Sequence, residues 1–410
     1  MSVQETEQDS GIWANQQFRA YLASTAFSGG AISMQQLLIS WMLVGMLVLP
    51  GDQVGVIQAI IGVPGIFLML WGGASADRAD PRTLLIRTYA FAWVIPALLV
   101  TFISLDHFNI WAVTLFGLGI STVTSFTSPA QQAILNRVAG RDIQRAVTAS
   151  TAIGFLVQIM ALIFAGQMEK VGLTTVLAAQ GICFALGAIM IARLQPVPGP
   201  QTSQTTPMWQ VILGGLRATY EHKTIFHVLL INFLSSVFNA GAFVTVVPFI
   251  IKRVYEGDAL QLATTMVVFF AGATISNLMM LKLMPIARPG KYFLIMQLSR
   301  MLILGLLWLQ PAYWLMMLVM ILWGLNMGVT TTLSRTIVQE SAQVEFRARI
   351  LSVYSLGLIG SAPIGALVLG NIIEFFGTLN ALLPAMCVSV CLFLYGTFGS
   401  GVWRYESPNS

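Results

Sequence analysis

The stretch "GGASADRADPRTLLIR", residues 72–87, sets two acids and three arginines into a chain of which only 9% is charged. Long apolar runs flank it on both sides. A soluble domain carries about 25% charged residues, whereas this chain of 410 residues is 56% hydrophobic. A helix needs about 20 apolar residues to cross a bilayer. Twelve such runs lie near 18–48, 54–76, 83–104, 109–135, 146–168, 173–193, 225–251, 259–284, 291–309, 312–338, 348–373 and 378–400. Short connections and helix-forming Leu, Met and Ala exclude a closed barrel. The expected fold class is an all-α polytopic membrane protein with twelve transmembrane helices in two six-helix pseudo-repeat bundles.

Charge sets the expected orientation. With the N-terminus inside, seventeen Lys and Arg fall on the inner side and three, Lys170, Lys252 and Arg253, on the outer side; Arg300 lies within span nine. This positive-inside bias puts both termini in the cytoplasm, and one missed span would scramble it. The acidic start "MSVQETEQDSG" has no basic n-region, so no cleavable signal is expected. Cys183, Cys387 and Cys391 all sit in spans with no His or carboxylate beside them, which reads as apolar burial rather than a metal site.

The chain also repeats itself. "STAFSGGA" (24–31) matches "SSVFNAGA" (235–242), and "FGLG" (116–119) matches "WGLN" (323–326). "AILNRVAGRDI" (133–143) parallels "TIVQESAQVEF" (336–346), and "GQMEKVG" (166–172) parallels "GNIIEFFG" (370–377). The organisation expected is a tail (1–17), a six-helix bundle (18–194), a linker (195–224), a second bundle (225–400) and a tail (401–410). Parallel repeats of this kind are typical of transporters with a site between the halves. Within the linker, "MWQVILGGLRATYEHK" (208–223) reads either as an interfacial helix or as an extension of span seven.

The whole arrangement resembles the major facilitator superfamily. The loop between spans two and three in that family carries a G-x-x-x-D-R-x-G-R-R-like signature, onto which Gly73, Asp77, Arg78 and Arg82 fall. Asp80 replaces the usual glycine and Pro81 a basic residue. The resemblance implies a cytoplasmic gate in which Asp77 meets the start of span eleven, near Glu345 to Arg349; a bare stop-transfer charge cluster is the alternative. "SPAQQAILNRVAGRDIQRA" (128–146) and "TIVQESAQVEFRARILSVYSLG" (336–357) resemble the branch of enterobactin exporters and macrolide-efflux proteins.

The family lines its cavity with spans one, four, seven and ten. Candidate cavity residues are Gln36, Ser40 and Trp41 in span one, Thr122 and Ser125 in span four, Asn232, Ser236 and Asn239 in span seven, and Asn326 and Thr330 in span ten. Asn232, Ser235, Ser236 and Asn239 recur at one-face helical spacing. Such groups serve equally as helix–helix hydrogen bonds. As an uncharged polar set beside aromatic rings they suit a bulky amphipathic substrate, with no cation among them. No Asp or Glu lies mid-span. The coupling candidates are Glu169 and Glu374, at matching outer helix ends, and the intramembrane Arg300, with the proton as the candidate ion.

The function expected is a secondary-active antiporter in the cell inner membrane that exports a drug-like compound or siderophore. The alternative is a lysophospholipid transporter or nutrient importer of the same fold. No enzyme, cofactor, metal or nucleic-acid partner is expected; the partners are a small molecule and the bilayer, and the chain reads as a monomer.

Overall fold

The computed structural model describes residues 13, 15–78, 80–139, 142–196, 208–343 and 346–408. Twelve of its helices are long and apolar enough to cross a membrane. In order, spans one to six are Gln16–Met46, Gly51–Leu68, Pro81–Ser104, Ile110–Ala139, Arg145–Gly166 and Leu173–Ala192. Spans seven to twelve are Lys223–Val254, Ala259–Leu283, Pro289–Trp308, Tyr313–Ser341, Arg349–Phe376 and Asn380–Gly399. Large apolar side chains such as Leu281, Phe375 and Phe398 are exposed, as lipid-facing positions require.

Local chemistry explains the boundaries. Asp80 caps span three, accepting from the Arg82 and Thr83 backbone N–H groups at 3.2 and 3.3 Å, and Pro81 occupies the first helical position. The two departures from the family signature are thus a good N-cap and a good first residue. Spans one and seven both end in a π-helical turn, Met42–Met46 and Ile250–Val254. The segment Met208–Glu221 is a separate helix, broken from span seven at His222. It lies close on span eleven because Gly215 has no side chain; a Cβ there would stand 2.6 Å from the Arg349 carbonyl oxygen.

The chain forms two compact units. One takes Met1–Ile39 and Pro64–Thr205, the other Ser40–Val63 and Thr206–Ser410. The second unit therefore includes the end of span one and the beginning of span two. Small residues account for this packing. A Cβ on Gly51 would lie 2.6 Å from the Gly370 carbonyl oxygen, and one on Gly55 2.5 Å from that of Ala366. Gly62 sits against the Pro363 ring. Backbones in such close contact gain dispersion and need no polar partner, the usual solution inside a bilayer.

Replacing Gly55 by Leu is expected to destabilise the protein by about 1–3 kcal/mol, the usual range for overpacking. Thermal unfolding in detergent measures it, with Gly154→Ala, where nothing lies within 4 Å of an added Cβ, as the neutral control.

Candidate functional site

Within the second unit, span nine sends Arg300 inward, where it is 5% exposed. Its Nε donates to Asn326 Oδ1 at 3.0 Å, Nη1 to Gln297 Oε1 at 2.9 Å and to Ser235 Oγ, and Nη2 to Thr330 Oγ1 at 3.2 Å. The acceptors are held in turn. Ser235 donates to Gln297 Oε1 at 2.8 Å, Thr330 to the Asn326 carbonyl at 2.7 Å, and Asn326 Nδ2 to the Met296 carbonyl at 2.7 Å. Every acceptor is neutral, and among the described residues no carboxylate forms an ion pair with Arg300. A guanidinium at a helix centre costs about 3 kcal/mol on insertion scales, and four hydrogen bonds to a charged donor offset it.

Beside this cage lies a cleft of about 620 Å³. Span seven lines it with Phe226, Leu229, Leu230, Asn232 and Phe233, span eleven with Val353, Tyr354, Leu356 and Gly357, and the linker helix with Leu216, Thr219 and Tyr220. Asn232 is 4% exposed, and its amide has no hydrogen-bond partner among the described residues. An apolar wall with one or two fixed polar groups is the usual make-up of a small-molecule site.

The model of a family described as transmembrane secretion effectors matches residues 12–400. The chain belongs to this family, within the major facilitator superfamily. A curated relative, the Staphyloferrin A transporter of Staphylococcus aureus (strain NCTC 8325 / PS 47), is 22% identical over 349 residues, covering 82% of this chain and 85% of that one. The solved nucleoside transporter NupG is 17% identical with TM-score 0.75, covering 95% of this chain and 100% of its own. A POT family transporter in complex with 5-aminolevulinic acid is 11% identical with TM-score 0.76, covering 95% and 96%. These two likenesses show the fold; the family match makes the protein a membrane transporter of the major facilitator type.

The transporter's other candidate residues fall in several places. The side chains of Gly73, Asp77 and Arg78, and Glu345 altogether, lie outside the described residues. Arg82 caps the end of span six, donating from Nε to the Leu194 carbonyl and from Nη2 to that of Ala192, both at 2.6 Å. In the first unit Thr122 bonds back to the Leu118 carbonyl of its own helix at 2.9 Å, whereas Ser125 reaches the Gly65 carbonyl at 3.0 Å and ties span four to span two. Glu169 is exposed in the short helix Met168–Val171. Gln36 and Ser236 are half-buried, and Ser40 is buried. Asn239 donates to the Ser235 carbonyl at 2.8 Å.

In the second unit Trp41 is buried with the Lys252 ammonium 5.2 Å from its ring centre, a cation–π distance. Glu374 Oε2 accepts from the Gly51 N–H at 3.1 Å, and Gln58 joins span seven, donating to the Val244 carbonyl at 3.2 Å and accepting from Thr245 Oγ1 at 2.5 Å. Sequence reasoning missed Gln58, Thr245, Tyr354 and the glycines facing span eleven. The spacing of Gly51 and Gly55 was the available signal. It also placed no cation among the span-seven and span-ten polar residues, yet Arg300 stands in their midst. An arginine side chain is long enough to serve a site that its own helix does not line.

Gln297→Leu removes an acceptor that Ser235 and Arg300 share. It is expected to lower stability by about 1–3 kcal/mol, the cost of stranding buried donors, and unfolding of the purified protein in mixed micelles checks this.

Proposed function

We propose that the chain is a secondary-active exporter of a small amphipathic molecule, working by alternating access in the bacterial inner membrane with both termini cytoplasmic. The observation that carries this reading is the cleft, an apolar and aromatic chamber with the unpartnered Asn232 amide in its wall. The seventeen-to-three distribution of Lys and Arg supports the orientation. With that orientation the cleft opens from the cytoplasmic halves of spans seven and eleven. The Gly51–Glu374 contact and the Gln58–Thr245 bond then belong to the external side. A cleft on the cytoplasmic half is where an exporter would load its substrate.

Glu374 suits the role of external latch. Its carboxylate faces the first N–H of span two, where the helix dipole favours negative charge, and protonation removes that attraction. On the cytoplasmic side the family resemblance assigns the gate role to Asp77. In the proposed cycle each latch closes as the other releases, and the proton is the coupling ion. A second reading, export of a lysophospholipid, draws support from Leu216 and Tyr220, exposed apolar residues at the cleft.

The test is accumulation of N-dansyl-leucine, a bulky apolar probe with one polar end, in inside-out vesicles with an imposed pH gradient. Wild type is expected to accumulate it, and Asn232→Leu to lower the rate about tenfold, the equivalent of one lost hydrogen bond of about 1.4 kcal/mol. Glu374→Gln is expected to uncouple accumulation from the gradient. Equal rates in wild type and Asn232→Leu contradict the cleft assignment, and strong competition by lysophospholipid selects the second reading.

A further inference from the structure

We infer that the Arg300 cage receives an oxyanionic head of the transported molecule, so that the substrate class is an amphipathic carboxylate: one anionic group on a bulky apolar body. The inference rests on the reading of the neighbouring cleft as the substrate site and goes further by assigning the charge of its occupant.

Unused donors carry the argument. A guanidinium has five N–H groups, and four are engaged, by Asn326, Ser235, Gln297 and Thr330. The remaining Nη2 hydrogen has no acceptor among the described residues. Gln297 must turn its oxygen toward the guanidinium and Ser235, which leaves its Nε2 as a fully buried donor without a partner. Two unsatisfied donors and an uncompensated positive charge therefore share one cage. Buried charges are ordinarily paired, and the described chain supplies no acid here. A carboxylate supplies both missing acceptors and the missing charge, and arginine is the side chain whose planar fork suits it.

The cage is also connected to the cleft. Asn232, in the cleft wall, precedes Ser235 by one helical turn on the same face of span seven. Tyr354, also in the wall, shares a 2.9 Å hydrogen bond with Ser334, and Ser334 follows Thr330 by one turn of span ten. Polar side chains thus run from the chamber to the guanidinium on two helices. An apolar body in the cleft and an oxyanion at Arg300 fit one molecule. The cage is closed in this structure, so the head enters as the Asn232 and Tyr354 side chains turn aside. A purely structural arginine has no need of a polar track leading to an apolar chamber, nor of idle donors at its end.

The experiment compares N-dansyl-leucine with its methyl ester, which differ in the charge and little in the body, on full-length protein in nanodiscs and in proteoliposomes. Wild type is expected to bind the carboxylate at least about tenfold more tightly than the ester. Arg300→Gln is expected to bring that ratio to about one, and Arg300→Lys to keep part of it. Gln297→Glu provides a second variant whose tethered carboxylate occupies the cage; it should abolish the preference while thermal stability is kept or raised, which guards against mere misfolding. A ratio near one in wild type, a ratio that survives both Arg300→Gln and Gln297→Glu, or no binding of the acid overturns the inference. Preference without flux supports the anion site and removes the exporter reading; flux of both probes without preference does the reverse.

Discussion

The close approach of span two to span eleven is the contact on which the second unit depends. Gly51 and Gly55 present bare backbone to Gly370 and Ala366, and no larger side chain fits. Because lipid tails are as apolar as the helices, burial alone gives no drive for association inside a bilayer; close backbone packing and a few polar bonds do. The polar bonds are present: Gly51 to Glu374, and Gln58 to Thr245 and Val244. They bring the end of span one and the start of span two into the same unit as spans seven to twelve. A contact made of glycine surfaces and a few hydrogen bonds holds without being permanent, and the proposed cycle requires that of it.

Arg300 shows how the same environment governs polar groups away from helix ends. Water cannot solvate it, so spans seven, nine and ten each contribute acceptors, and Gln297 and Asn326 are themselves anchored. This network fixes spans nine and ten against span seven. It also leaves donors unused, in contrast to a fully satisfied buried network. The cleft beside it is the complement, apolar where the cage is polar. Together they can distinguish the two ends of an amphipathic molecule.

Much of the fold was legible in the sequence. The twelve spans follow from apolar run length, a one-dimensional signal. Asp80 and Pro81 look like defects in a family signature when read as letters, and as a helix start once the backbone is seen. The site was legible only in part. Asn326 and Thr330 stood out as polar residues at helical spacing, but spacing on a helix cannot say which neighbour they face. Ser125 faces the Gly65 carbonyl, a packing bond, whereas Thr330 faces a guanidinium carried by another helix. Arg300 stood out as an intramembrane charge, but the length of its side chain, which no periodicity reports, is what brings it among the polar residues of spans seven and ten. The span-two glycines carried a readable spacing whose partner on span eleven only the three-dimensional packing identifies.

The most direct test of the account is a disulfide between Gln58→Cys and Thr245→Cys in an otherwise cysteine-free protein, formed in proteoliposomes before flux is measured. If the seam must part in every cycle, cross-linking stops transport, a reductant restores it, and probe binding in the cleft persists throughout. Undiminished transport by fully cross-linked protein would contradict the claim that this contact is the external closure.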